Sequence, residues 1–110
     1  METIDLSVLD GLTETVGEDF MGELIDTFLE EAPGMIAEME QALSADDADK
    51  FRRAAHSLKS NASTFGAMEL AERARELEYM ARENDLDIGN ELQILNETYE
   101  NAAKELKSLR

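Results

Sequence analysis

The residue in this sequence best suited to covalent chemistry is its only histidine, His56, which is followed one helical turn later by Lys59. A neutral imidazole nitrogen near pH 7 can attack phosphorus, and a lysine at this spacing supplies a compact positive charge for phosphoryl oxygens. Both residues lie in the stretch KFRRAAHSLKSNASTFG (residues 50–66), which holds four of the ten cations of the chain and none of its 26 acids. The pattern therefore favours nucleophilic chemistry on an anion.

Helical phase predicts that His56 is exposed to solvent. At about 100° per residue, one side of this stretch forms an apolar arc about 100° wide, which is the width of a core-facing stripe. The arc consists of Phe51, Ala54, Ala55, Leu58, Ala62 and Phe65. His56 lies about 140° round from Phe51. The outer half of the helix also carries Arg52, Arg53, Lys59, Ser60 and Ser63. We expect an imidazole in water, surrounded by cations and small residues.

Other roles for His56 have less support in the sequence. The simplest of them is a surface histidine without a function. A metal site needs converging ligands, and the chain has no cysteine, no second histidine and no acid within one turn of His56. General-base catalysis usually requires a carboxylate that orients the ring, and the local sequence offers none. No metal ligands are therefore predicted.

The segment AHSLKSNASTFGA (residues 55–67) resembles the signature of histidine-containing phosphotransfer (HPt) domains. The similarity lies in a His-x-Leu-Lys run, the small residues after it, and a Gly-Ala pair ten residues beyond the histidine. It extends to the upstream helix LIDTFLEEAPGMIAEMEQAL and the downstream helix AMELAERARELE, and covers residues 18–84 well. In this chain Ser60 stands where the family commonly has glycine, a departure that bears on partner choice rather than on the chemistry.

This resemblance implies a role for each residue of the motif. His56 carries the phosphoryl group, Lys59 stabilises it, and the small Ser60 lets a partner approach. Ser63, Arg52 and Arg53 are assigned to the same approach surface. Two further residues, Leu58 and Gly66, are assigned structural roles in the motif.

Composition restricts the other classes of function. The 110 residues, with 43% hydrophobic content, are enough for one globular domain, taken as residues 1–110. A net charge of −16 argues against binding to nucleic acid or to an anionic membrane, because both need a basic face. There is no cysteine for a disulfide framework, no signal peptide, and no apolar run long enough to span a membrane. We expect a cytoplasmic protein.

Periodicity predicts an all-α fold, an antiparallel four-helix bundle with a short N-terminal lid helix. The lid covers residues 4–16, and Gly17 ends it. A long helix over residues 18–43 is predicted to kink at Pro33 or to divide there into two nearly collinear helices. Its core stripe is Met21, Ile25, Phe28, Ala32, Ile36, Met39 and Leu43. Phe20, Leu24 and Met35, on one flank of the stripe, are expected to pack as core against the lid.

The remaining helices follow from polar turns and glycines. The histidine helix is predicted to begin near Asp47 and to stop at Gly66. The next helix covers residues 67–84 and runs antiparallel to it. The last helix carries a heptad seam of Leu92, Leu95, Tyr99, Ala102, Leu106 and Leu109. This seam most simply closes the bundle of a monomer, although a homodimeric coiled coil could use the same stripe.

These observations and the resemblance together predict a phosphorelay intermediate that is a covalent phosphohistidine carrier and not an enzyme. His56 would exchange a phosphoryl group with aspartates of response-regulator receiver domains and of a hybrid histidine kinase, and Mg²⁺ would be bound by the partner receiver. The chain contains no GxxxxGK[ST] loop, so phosphorylation from ATP by the chain itself is not expected. The alternative is a helical adaptor that binds receiver or kinase domains without being phosphorylated.

Overall fold

The computed structural model describes residues 4–110, so residues 1–3 of the predicted domain lie outside it. Within the described residues the chain forms five α-helices and no strand. They are α1 (Leu6–Val16), α2 (Glu18–Ser44), α3 (Ala48–Thr64), α4 (Met68–Arg82) and α5 (Glu91–Leu109). Helix α3 packs between α2 and α4, α5 closes the bundle against α4 and α2, and α1 packs on α2 and α3. The predicted all-α, four-helix bundle with an N-terminal lid helix is confirmed.

Local capping chemistry sets the ends of the helices near the predicted positions. The Asp5 carboxylate accepts a hydrogen bond from the Ser7 amide (3.0 Å) and begins α1, which ends where Gly17 adopts a φ of +89°. The Asp47 carboxylate accepts from the Lys50 amide (3.1 Å) and begins α3. A side-chain acceptor at this position satisfies a backbone N–H that has no partner in the first turn. The predicted start of the histidine helix near Asp47 is therefore confirmed.

Gly66 ends α3 and also joins it to the lid helix. Its φ is +77°, a conformation that side-chain-bearing residues rarely adopt. The Asp5 amide donates to the Gly66 carbonyl at 2.7 Å, and a Cβ at Gly66 would stand only 2.6 Å from the Asp5 carbonyl oxygen. Glycine is thus required here both for the turn and for the close approach of the chain that leads into α1.

Helix α2 passes through Pro33 as a single helix, so the alternative of two collinear helices is wrong. Proline has no N–H to donate to the carbonyl one turn earlier, which leaves the Leu29 oxygen without its intrahelical partner. The Tyr99 hydroxyl of α5 donates to this oxygen at 3.4 Å. Burial raises the pKa of Tyr99, so the phenol stays protonated and can serve as the donor. A side chain from the last helix thus compensates for the proline.

The predicted stripe of α2 is buried in the core except for Leu43, which is partly buried. Leu24 and Met35 are half-buried against the core as expected, but Phe20 is 49% exposed. Helix α1 lines a recess together with Met21 and Ile25 of α2, and Phe20 is not part of this recess. The prediction for Phe20 was therefore wrong.

The seam of α5 is buried within the chain itself except at its last residue. Leu92, Leu95, Tyr99, Ala102 and Leu106 are buried, whereas Leu109, in the final turn of the helix, is exposed. The prediction that Leu109 continues the seam was wrong, because the last turn of α5 leaves this side chain uncovered. None of the helices in residues 4–110 is long and apolar enough to cross a membrane.

Candidate functional site

His56 lies in the middle of α3 on its outer face, and 56% of its side chain is exposed. This confirms the exposure predicted from helical phase. The opposite face of α3 is buried in the bundle, and Leu58 is fully inaccessible. Ser60, Ser63 and Arg53 are exposed on the side of His56, and Arg52 and Lys59 are half-buried there. The structure therefore brings the predicted site residues onto one surface.

A buried carboxylate from the next helix holds both reactive side chains of α3. Glu78 of α4 accepts a hydrogen bond from Lys59 Nζ through Oε1 and contacts His56 Nδ1 through Oε2, each at 2.7 Å. Only 4% of the Glu78 side chain is exposed. The local sequence around His56 offers no such carboxylate, and the one that contacts the imidazole comes from another helix, 22 residues away.

Glu78 is ionised over the ordinary pH range despite its burial. Burial by itself raises the pKa of a carboxyl group. The hydrogen bonds from Lys59 and His56, together with their charges, outweigh this effect and hold the pKa of Glu78 below its ordinary value of 4.5. The site therefore contains a carboxylate that can only accept hydrogen bonds.

This carboxylate determines which imidazole nitrogen is available for chemistry. Since an ionised Glu78 has no proton to donate, the neutral ring of His56 must carry its proton on Nδ1 and donate it to Oε2. The lone pair is then on Nε2, which makes no hydrogen bond to the described residues 4–110. The ring consequently presents a nucleophilic nitrogen to solvent and a fixed N–H to the protein.

The basic character of the stretch around His56 is weaker in the fold than in the sequence. Arg52 and Arg53 both pair with Asp49 in the first turn of α3, at 3.0 and 3.1 Å. Lys59 pairs with Glu78. The expected cations do lie on the side of His56, but each of them has an acidic partner that the prediction did not include.

Glu78 is the functional residue that sequence reasoning missed, and one signal could have identified it. In α4, the buried positions Leu70, Ala71, Ala74, Leu77 and Ala81 form one stripe, and Glu78 falls inside it. A carboxylate is rarely buried unless it is paired. An acid on the apolar face of the neighbouring helix thus indicated a buried partner.

Two further observations describe the surroundings of Glu78 and His56. Residues 4–110 contain no cluster of three or more His, Cys, Asp or Glu side chains that could hold a metal ion. A guanidinium nitrogen of Arg82, in the last turn of α4, lies 3.5 Å from Glu78 Oε2. This ion pair is longer than those that His56 and Lys59 make with the same carboxylate.

Comparison with protein families and curated relatives gives a consistent result. The model of the Hpt domain family matches residues 23–108. The phosphorelay protein LuxU of Vibrio cholerae is 29% identical over 104 residues, covering 90% of this chain and 92% of the relative. LuxU of Vibrio vulnificus (strain YJ016) is 32% identical over 85 residues, covering 77% of this chain and 74% of the relative.

Two solved structures share the fold along nearly the whole chain. Histidine-containing phosphotransfer protein B (HptB) from Pseudomonas aeruginosa superimposes with a TM-score of 0.91 at 31% identity, covering 96% of this chain and 92% of that one. The HPT domain of a sensor hybrid histidine kinase from Shewanella superimposes with a TM-score of 0.80 at 15% identity, covering 97% and 92%. The second likeness concerns the fold alone.

Proposed function

Since this chain belongs to the Hpt domain family and acts as a histidine phosphotransfer protein in a two-component phosphorelay, we propose that His56 is its phosphoryl carrier. His56 is the only histidine in the sequence. The observation that carries the proposal is the 2.7 Å contact between its Nδ1 and the buried Glu78 carboxylate, on a ring whose other nitrogen faces solvent. The protein thus has a positioned nucleophile that a partner can reach.

The transfer step follows from this geometry. The Nε2 lone pair of His56 attacks the phosphorus of an aspartyl phosphate on the partner, and the bond between phosphorus and the aspartyl oxygen breaks, with its electrons remaining on the departing carboxylate. The ring then holds phosphorus on Nε2 and hydrogen on Nδ1, and so becomes positively charged. Glu78 stabilises this charge and keeps the ring in the productive tautomer, the role that a carboxylate has in a Ser-His-Asp triad. Transfer to a second aspartate is the reverse reaction.

Lys59 is proposed to stabilise the phosphoryl oxygens. Lys59 lies one helical turn from His56 and 27% of its side chain is exposed, so the ammonium group can turn from Glu78 toward a group on Nε2. We expect Lys59→Ala to slow transfer without abolishing it, because the lysine stabilises developing charge and is not the nucleophile. An unchanged transfer rate in this variant would remove Lys59 from the site.

The proposed partners are receiver domains of response regulators and the receiver of a hybrid histidine kinase. Ser60, Ser63, Arg52 and Arg53 are the proposed approach surface, supported by their position on the outer side of α3. The Mg²⁺ used in such transfers is assigned to the receiver. We further propose that the chain is a monomeric carrier without kinase activity of its own and that it works in the cytoplasm, which size-exclusion chromatography, incubation with ATP and cell fractionation would test.

A transfer assay tests the assignment of His56. Purified chain is mixed with a receiver domain carrying labelled phospho-aspartate, and the parent is expected to take the label while His56→Ala and His56→Gln take none. Circular dichroism is the control for folding, which should be unchanged because His56 is exposed. Label on the His56→Ala protein would show that another residue is the acceptor. A parent that binds the receiver but never takes label would be the helical adaptor of the alternative hypothesis.

A further inference from the structure

Three basic side chains lie near the Glu78 carboxylate in the resting protein. Lys59 Nζ lies at 2.7 Å from Oε1, His56 Nδ1 at 2.7 Å from Oε2, and a guanidinium nitrogen of Arg82 at 3.5 Å from Oε2. The first two contacts are hydrogen bonds, whereas that of Arg82 is an ion pair without one. The Arg82 guanidinium therefore lies near the carboxylate but forms no hydrogen bond with it.

Phosphorylation of His56 creates a conflict for Lys59. Its hydrogen bond to the buried Glu78 draws the ammonium group inward, whereas a phosphoryl group on the outward-facing nitrogen of the ring would draw it toward solvent. If Lys59 turns outward, the carboxylate, with only 4% of its side chain exposed, keeps the Nδ1–H of the phosphorylated ring but loses the Lys59 ammonium group at 2.7 Å. Loss of one partner from a buried charge is unfavourable, so the carboxylate would hold Lys59 back from the phosphoryl group.

We propose that Arg82 forms a hydrogen bond with the Glu78 carboxylate in place of Lys59 when Lys59 turns to the phosphoryl group. Arg82 is then a positioning residue for Lys59. This inference rests on the proposed function of His56. Arg82 is four residues after Glu78 on α4, a spacing at which side chains lie on the same face of a helix. It also lines a recess of about 230 Å³ together with Lys59, Glu78, Arg75 and Tyr79. A small rotation of its side chain would bring the guanidinium to hydrogen-bond distance.

The charge environment of the recess favours Arg82 over the other arginine there. Arg75 forms two hydrogen bonds with Glu72 one turn earlier on α4. Among the described residues 4–110, the ion pair of Arg82 with Glu78 is the only one that Arg82 makes. Its side chain is 59% exposed, so it can approach the carboxylate without disturbing the core. Arg82→Ala and Arg75→Ala are therefore a matched pair of variants, with equal loss of charge and different contacts.

The test is chemical phosphorylation by phosphoramidate, a small donor that needs no protein docking. We expect Arg82→Ala to slow the labelling of His56 roughly two- to fivefold, the range of one exposed ion pair. Arg82→Lys should restore most of the rate, and Arg75→Ala should label like the parent. Because Arg82 acts through Lys59, adding Arg82→Ala to Lys59→Ala should cause no further loss. A spectroscopic measurement is independent of rate: the NMR signal of the Lys59 ammonium group should move on phosphorylation in the parent and much less in Arg82→Ala.

The outcomes separate this inference from the function on which it rests. A parent that takes no phosphoryl group on His56 would contradict the carrier assignment itself. If the parent is labelled but Arg82→Ala behaves like Arg75→Ala, the carrier assignment stands and the role of Arg82 is wrong. Equal fractional losses from Arg82→Ala in the Lys59 and Lys59→Ala backgrounds would also contradict it, since the arginine would then act independently of the lysine.

Discussion

Replacement of Glu78 by glutamine is the most informative perturbation of this site, because it removes one charge and changes little else. The amide oxygen can still accept the Nδ1 hydrogen bond of His56, so the ring can keep its orientation. What is lost is the negative charge beside a ring that becomes positive as the nitrogen–phosphorus bond forms. Glu76→Gln is the matched control, because Glu76 is exposed on the same helix.

The size of the effect can be worked from the contact of 2.7 Å between Oε2 and Nδ1. Opposite unit charges whose centres are about 4 Å apart attract by about 4 kcal/mol at an effective dielectric constant of about 20. Because 56% of the His56 side chain is exposed, solvent screens much of this attraction. On the order of 1–2 kcal/mol should remain, which corresponds to a transfer rate about five- to thirtyfold lower in Glu78→Gln. Folding stability at neutral pH should fall modestly, because the attractions that lower the pKa of Glu78 outweigh the cost of its desolvation.

Rapid-quench transfer from a phosphorylated receiver measures this rate, and ¹⁵N NMR of the imidazole measures the tautomer. We expect the parent to carry its proton on Nδ1 of His56, and Glu78→Leu to lose this preference because it has no acceptor. The electrostatic argument would be refuted if Glu78→Gln transferred the phosphoryl group as fast as the parent and the Glu76→Gln control. A parent spectrum with the proton on Nε2 would refute the assignment of the nucleophilic nitrogen.

Three further predictions concern the approach surface, the lid and acid stability. Ser60→Tyr should leave stability nearly unchanged but strongly reduce transfer from a receiver, because misplacement of reacting groups by about 1 Å costs on the order of a hundredfold in rate. Phosphoramidate labelling of His56, which needs no docking, should stay normal. Undiminished transfer from the receiver would show that the partner does not pass over this turn. Gly66→Ala should lower the free energy of unfolding, measured by urea denaturation, by about 2–3 kcal/mol, because alanine disfavours the left-handed backbone and its Cβ would displace the hydrogen bond between the Asp5 amide and the Gly66 carbonyl. An unchanged midpoint of denaturation would contradict the close approach of Gly66 and Asp5. Because the pKa of Glu78 is depressed from 4.5 in the folded protein, its contribution to stability is present above about pH 4.5 and lost as pH falls through the lower folded value. The parent should therefore lose more stability than Glu78→Gln between pH 5 and pH 3, and parallel losses would contradict the depressed pKa.

The sequence by itself determined the features that depend on local rules. The 3.6-residue period of the helix places His56 opposite the buried stripe, whatever the neighbouring elements are. Asp47 and Gly66 mark the ends of α3 because capping acts within one turn of the chain. The order of the helices in residues 4–110 and the outward position of Ser60 follow from the same signals, whereas the continuity of α2 through Pro33 does not.

Only the tertiary structure decided which side chains meet across helices. Glu78 is 22 residues from His56 and 19 from Lys59 in sequence, and the antiparallel packing of α3 and α4 alone brings it beneath both. The same reason explains the failure at Phe20, because the period of α2 identifies a flank but not whether α1 covers it. Long-range contacts depend on the relative rotation and translation of packed helices, and a helical period within one segment carries no information about either. The proposed nucleophile could therefore be predicted from its own helix, whereas the carboxylate that contacts it required the assembled bundle.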